Sequence, residues 1–101
     1  MKTSSDRKRQ KRQALAHIHT VEAILRRWDP IGVRPGEFAP ADEYDDYAPH
    51  IVSMVIGGCT IAQLSQHLGH IRTHTIGVEA NRKRDLRIAI DIVRALRDKA
   101  E

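Results

Sequence analysis

The sequence predicts an all-α protein, a compact bundle of about four helices with a long ordered loop between helices one and two. Three observations lead there. Apolar residues recur at steps of three and four in four separate windows, which is the helical repeat. Proline and glycine cluster between these windows, at Pro30–Pro40, Gly57-Gly58 and Gly77. The chain has 101 residues, 41% hydrophobic and 30% charged, which suits one domain with one core and excludes a disordered chain. The expected layout is a basic N-terminal arm over residues 1–12 and a single helical domain over 13–101.

The first helix is expected from Ser5 or Asp6 to Trp28 or Asp29. Ala14, Ile18, Val21, Leu25 and Trp28 share one face, and Glu22 and Arg26 form an i, i+4 pair on the wet side. Pro30 cannot continue the helix and restricts Asp29 before it. The loop Pro30–Ala41 follows, with Ile31, Val33 and Phe38 spaced to pin it on a core. A second helix is predicted over Asp46–Ile56, capped by Asp45 or Asp46, with Pro49 tolerated in its first turn and Gly57-Gly58 ending it. Ile51, Val52, Val55 and Ile56 form its apolar face; their β-branching leaves a strand as the second assignment. Thr60 with Gln63 reads as a capping box for a third helix, striped by Ile61, Leu64, Leu68 and Ile71 and ending before Gly77. The fourth runs from Asn81 to Lys99. Leu86, Ala89, Ile90, Val93 and Leu96 line one face of it, and Ile88 and Ile92 an adjoining one. That arc is wider than one contact needs, so this helix is either central or covered by a partner chain.

Charge is segregated. Lys2, Arg7, Lys8, Arg9, Lys11 and Arg12 make the start basic. Glu37, Asp42, Glu43, Asp45 and Asp46 make the middle acidic. Arg82, Lys83, Arg84, Arg87, Arg94, Arg97 and Lys99 make the end basic again, for a net charge of +4. Four aromatic residues are too few for a base-stacking platform. The single cysteine, Cys59, forms no internal disulfide and points to a reducing cytoplasm. No apolar run is long enough for a signal peptide or a membrane span, so a cytoplasmic protein with no membrane partner is expected.

The leading functional reading is a non-catalytic protein-interaction module. Asp42, Glu43, Tyr44, Asp45, Asp46 and Tyr47 form one expected contact surface, because tyrosines interleaved with acids are common at interfaces; the other assignment has the tyrosines cover the core while the acids keep the segment soluble. Ile88 and Ile92 form another, suited to a homodimer. The alternative is nucleic-acid binding through Arg7, Lys8, Arg9, Lys11 and Arg12 together with Arg82, Lys83, Arg84 and Arg87. Both clusters sit near helix N-termini, where positive charge opposes the dipole and suits an external anion, a partner's acidic face or frayed ends, with a solvated arm the other assignment for the first cluster. Leu64-Ser65 and Gly69 fall where a helix-turn-helix wants them, but Ile71 and Ile76 arrive one residue late and polar His70 and Thr75 take apolar slots.

A second alternative is a metal site at His67, His70 and His74, spaced by three and four along one side of a helix; no cysteine or carboxylate stands at a ligand spacing beside them. Catalysis has no local signature. Cys59 reads as a small apolar residue where a helix begins, and Asp42–Asp46 as charge complementing a helix N-terminus. No enzyme activity and no cofactor are expected.

Trp28-Asp29-Pro30-Ile31-Gly32-Val33 followed by Asp42-Glu43-Tyr44-Asp45-Asp46-Tyr47 resembles the signature of a small bacterial all-helical family of unknown function, marked by a W-D-P-I-G-V run and a D-E-Y-D-x-Y turn. The resemblance covers about Leu15–Val78 and implies an all-α fold and a bacterial origin. By analogy it implies binding, since related helical families include immunity-type proteins that neutralise toxins. The basic start and arginine-rich last helix depart from the pattern. Physically the signature reads as a clasp. Trp28 ends the first stripe, Asp29 accepts backbone N–H groups from the turn, and Ile31 and Val33 tuck under Tyr44 and Tyr47.

Overall fold

The apolar stripe that begins near Ala14 is carried by α1 (Ser4–Trp28), the longest helix of the protein. The computed structural model describes residues 4–34, 36–37, 39–40 and 42–99; Phe38 of the loop lies outside them. After α1 come a 3-10 turn at Asp45–Tyr47, α2 (Ala48–Ile56), α3 (Ile61–His70), a π-helical segment at Ile71–Ile76, and α4 (Arg82–Lys99). The strand alternative for the second element is thereby removed.

The helices run up, down, up and down. Tyr44 meets Trp28 at the C-terminal end of α1, while Val55 and Ile56 at the end of α2 lie beside Ala14 and His17. Arg72, just beyond α3, meets Asp85 at the start of α4, and Arg97 near the end of α4 donates to the Cys59 carbonyl ahead of α3 (2.6 Å). One end of the bundle is therefore closed by the loop that follows Trp28. At the other end α1 outruns its neighbours: 25 residues rise about 37 Å, against about 13 Å for the nine of α2.

Several boundaries have explicit chemical causes. Thr60 and Gln63 form the full capping box, with N–H to oxygen distances of 2.8 and 3.0 Å. Gly58 adopts φ +90° after α2, and the amides of Gly58 and Cys59 bond back to the carbonyls of Val55 and Met54, a Schellman ending. The start of α2 differs from expectation. Asp45 and Asp46 cap nothing; they belong to the 3-10 turn, and Tyr47 precedes α2 with no side-chain cap.

The core gathers Val21, Ile24, Leu25 and Trp28 of α1, Ile51, Val52 and Val55 of α2, Leu64 and Leu68 of α3, and Ile88, Ala89, Ile92, Val93 and Leu96 of α4. This corrects the reading of α4. Ile88 and Ile92 are 5% and 0% exposed inside one chain, so they are not a dimer surface, whereas Leu86 is 45% exposed. The buried stripe is 85-88-89-92-93-96, rotated by roughly 60° from the expected face at 100° per residue. Its first position is held by Asp85.

The third rod continues through Gly69 and His70 without the turn that a helix-turn-helix would need. Its last six residues are π-helical, so each turn there takes an extra residue. That widening buries Ile71 and Arg72, brings Ile76 partly inward and leaves His70 and Thr75 outside. The late arrival of Ile71 and Ile76 is the sequence trace of this widened turn. Gly77 at φ +85° ends the rod, and the amides of Gly77 and Val78 both donate to the Arg72 carbonyl at 3.0 Å.

Candidate functional site

At the closed end the buried polar side chains are consumed by one another. Asp85, 2% exposed, accepts from the Trp28 indole Nε1 at 2.8 Å and from Arg72 Nε and Nη2 at 3.0 and 2.8 Å. The Arg72 guanidinium, itself only 4% exposed, also lies 5.6 Å from the centre of the Trp28 ring. Three elements, α1, the π segment and α4, are thus tied by one carboxylate. Gly69 faces it, and a Cβ there would stand 3.6 Å from Asp85 Oδ2. Arg84 adds a brace from α4, donating through Nε to the Trp28 carbonyl at 3.0 Å and through Nη2 to that of Arg27. These groups satisfy the bare carbonyls at the end of α1.

The clasp around Asp29 closes the same end. Asp29 sits at φ +39°, and its carboxylate accepts from the amides of Val33 (3.0 Å) and Arg34 (2.9 Å) and from the Tyr44 hydroxyl (2.7 Å). Burial works to raise the Asp29 carboxyl. The Tyr44 hydroxyl and the backbone amides outweigh it and hold the group below its ordinary range. The same contact works in reverse on Tyr44, where burial and then the Asp29 carboxylate push the phenol far above its ordinary value. Tyr44 is 1% exposed and meets Trp28 edge-on at 5.9 Å between ring centres. It is core and not contact surface, which corrects its place among the interface residues. Val33 and Tyr47 pack against the core as expected, whereas Ile31 meets Tyr44 through its backbone N–H, which donates to the hydroxyl at 3.4 Å, and leaves its residue surface 45% exposed.

What remains of the acidic surface is Asp42, Glu43 and Asp46, all exposed. Asp45 turns partly inward. Its Oδ2 lies 3.9 Å from Arg26, while its Oδ1 is buried with no hydrogen-bond partner. Burial, then the nearby Glu22 carboxylate, raises the Asp45 carboxyl above its ordinary range, with Arg26 opposing.

The two basic clusters are not brought together. Arg7, Lys8, Arg9, Lys11 and Arg12 are exposed on the free N-terminal turns of α1; Arg82, Lys83, Arg84 and Arg87 lie at the start of α4, beside the other end of α1. From residue 28 back to residue 12 is about 24 Å of helix. The α4 cluster also shares its end with the acidic turn.

The expected histidine cluster divides into two pairs. His70 and His74 stack at 4.5 Å between ring centres, whereas His67 faces His50 of α2 at 4.9 Å. Among the described residues no group of three or more His, Cys, Asp or Glu side chains is placed to hold a metal ion. The metal assignment to His67, His70 and His74 is corrected on this geometry, because the helix turns His67 toward α2. Burial and then the charges of His50 and His70 lower the His67 imidazole below its ordinary value.

The feature that sequence reasoning missed is a groove at the open end, of about 770 Å³, between the N-terminal half of α1, the end of α2 and the end of α4. Ala14, Val55, Ile56 and Leu96 supply its apolar lining, with His17 and Arg97 beside them. Ile56 is 64% exposed, the most exposed large hydrophobic among the described residues. No local motif announces such a groove; the lining residues are up to 87 positions apart, and only the antiparallel packing of α1 and α4 assembles them. Arg72 and Asp85 were missed for a related reason, since each reads as a surface charge until its partner on another element is known.

No protein family, curated protein or solved structure matches the chain. No helix among the described residues is long and apolar enough to cross a membrane.

Proposed function

We propose that this protein is a non-catalytic module that binds a protein partner. The observation that carries the reading is the contrast between the two ends of the bundle. At the closed end Trp28, Arg72 and Asp85, and likewise Asp29 and Tyr44, spend their polar groups on one another. At the open end an apolar groove with exposed Ile56 faces solvent. Exposed apolar area rimmed by polar residues is the usual mark of an interaction surface. The exposed Asp42, Glu43 and Asp46 offer a second, polar contact. The proposal also takes the chain as a member of the small helical family it resembles, with the W-D-P and D-E-Y-D-x-Y elements serving as the clasp, and places it in a cytoplasm where the free thiol of Cys59 stays reduced.

Nucleic-acid binding is the second reading, favoured by the exposed row Arg7, Lys8, Arg9, Lys11 and Arg12. It ranks lower because the other basic cluster lies at the far end beside the acidic turn, where phosphate would be repelled.

The test is affinity capture by the immobilised protein from a lysate of its own organism, run in parallel with and without nuclease, with mass spectrometry and nucleic-acid staining of the bound fractions. A discrete protein retained after nuclease treatment is expected. Retention of nucleic acid alone, abolished by nuclease, would overturn the reading.

A further inference from the structure

We infer that the groove between α1, α2 and α4 receives an acidic amphipathic helix of the partner, its apolar face on Ile56 and its carboxylates against the cationic end of the bundle. This rests on the protein-binding reading and names the chemistry of the occupant. The first argument is size. A helix is about 10 Å across and rises 5.4 Å per turn, so about two turns occupy a volume comparable with the 770 Å³ groove. Helices wall the groove and no strand occurs among the described residues, so a peptide has no sheet edge to extend. An apolar face set into a groove between helices is the remaining common mode.

The second argument is charge. The end of the molecule around the groove, taken as residues 4–13 of α1 and 94–98 of α4, carries seven cations (Arg7, Lys8, Arg9, Lys11, Arg12, Arg94, Arg97) against two carboxylates, Asp6 and Asp98. Gln10 and Gln13 line the groove on α1, and on a helix Arg7 and Arg9 fall to either side of that row. Arg97 stands in the lining itself. One of its N–H groups serves the Cys59 carbonyl, and a guanidinium has five, so donors remain for a carboxylate. A second copy paired about a two-fold axis would bring its own cationic end to the groove, and like charges disfavour that pairing. A nucleic acid would match the charge but would leave the apolar lining without a counterpart.

The experiment uses the full chain and a fluorescein-labelled helical peptide of about five turns, with leucine at the i, i+3, i+4, i+7 spacing and glutamate on the remaining face. Binding is followed by anisotropy. Binding of this peptide is expected, with at least about tenfold weaker binding by Ile56→Asp and by a peptide whose leucines are replaced with serine. Gln13→Glu, exposed on the rim, is expected to weaken binding severalfold, whereas Leu86→Asp, exposed near the start of α4 and outside the groove lining, leaves it unchanged. Circular dichroism verifies that each variant is folded. Failure of the acidic peptide to bind, or equal binding of the leucine and serine peptides, overturns the inference. So does a DNA duplex that displaces the peptide and is insensitive to Ile56→Asp, which assigns the surface to nucleic acid. A partner protein captured equally by the wild type and Ile56→Asp overturns the groove alone and leaves the protein-binding reading standing.

Discussion

Replacing Asp85 with alanine strips the shared acceptor from two buried donors. Arg72 is 4% exposed and its guanidinium would be left inside the protein with no counter-charge. Breaking a buried ion pair by removing one partner costs about 3–5 kcal/mol. The indole N–H of Trp28, also buried, loses its 2.8 Å bond, which costs a further 1–3 kcal/mol or so where no water replaces it. The two losses share one acceptor and are not additive, so about 4–6 kcal/mol is expected, set against a total of about 5–15 kcal/mol for a domain. At about 4–8 °C per kcal/mol, thermal unfolding followed by circular dichroism moves down by at least about 16 °C, and urea unfolding moves in parallel. The companion variant Asp85→Leu/Arg72→Met removes both charges and fills the space, which is often neutral or stabilising for a buried pair. It should recover most of the loss, less the share of the orphaned indole. Should Asp85→Ala not fold, Asp85→Asn serves, since it keeps an acceptor for Trp28 and discards the charge facing Arg72. A loss below about 1 kcal/mol, or a double variant no more stable than the single one, would refute the idea that this carboxylate ties the three elements.

Tyr44→Phe removes a hydroxyl that donates to a carboxylate, so about 1.5–3 kcal/mol of stability should go. The Asp29 resonance in NMR should then titrate closer to its ordinary range. Because the folded-state value of Asp29 is depressed, its stabilisation is present above the unfolded-state value and is lost as pH falls through the folded one. Acid unfolding of Tyr44→Phe should accordingly show a weaker dependence on pH in that window; an unchanged profile would count against the contact. His67 follows the same sign: its lowered value means that stability falls as pH drops through the ordinary histidine range, and His67→Gln should flatten the melting temperature between pH 7 and 5. Asp45 has the opposite sign. Its raised value means that the charged form burdens the fold at neutral pH, so Asp45→Asn should raise the melting temperature at pH 7 and lose that advantage in acid.

Residues whose neighbours are close in the chain were legible. Pro30 ending α1, Thr60 with Gln63 starting α3, and Gly57-Gly58 ending α2 each act within a few positions, and all are found in place. Where the deciding partner is distant, the reading fails. The eight apolar positions of α4 allow two faces; Trp28 and Arg72 select one by drawing Asp85 inward, and Ile88 and Ile92 follow it. The acids that flank Tyr44 left two assignments for it, contact surface or core cover, and only its buried hydroxyl on Asp29 decides for the core. The one-residue delay at Ile71 and Ile76 was visible, but a widened turn was not the only way to explain it. Of the groove, the sequence disclosed the cations and not the hollow, because that depends on how far α1 extends past α2.

Trp28 is the sole tryptophan, and it stands where α1, the π segment and α4 converge. The molecule therefore carries its own optical gauge at the joint that matters most for its integrity. Selective excitation of that indole reports on a single, shielded location, with a guanidinium beside the ring and a carboxylate on its nitrogen. Any separation of the rods there would alter the colour and yield of the emitted light whether or not the far end of the bundle had changed, so that, set beside a measure of helix content, partial opening could be told from complete collapse without attaching a dye.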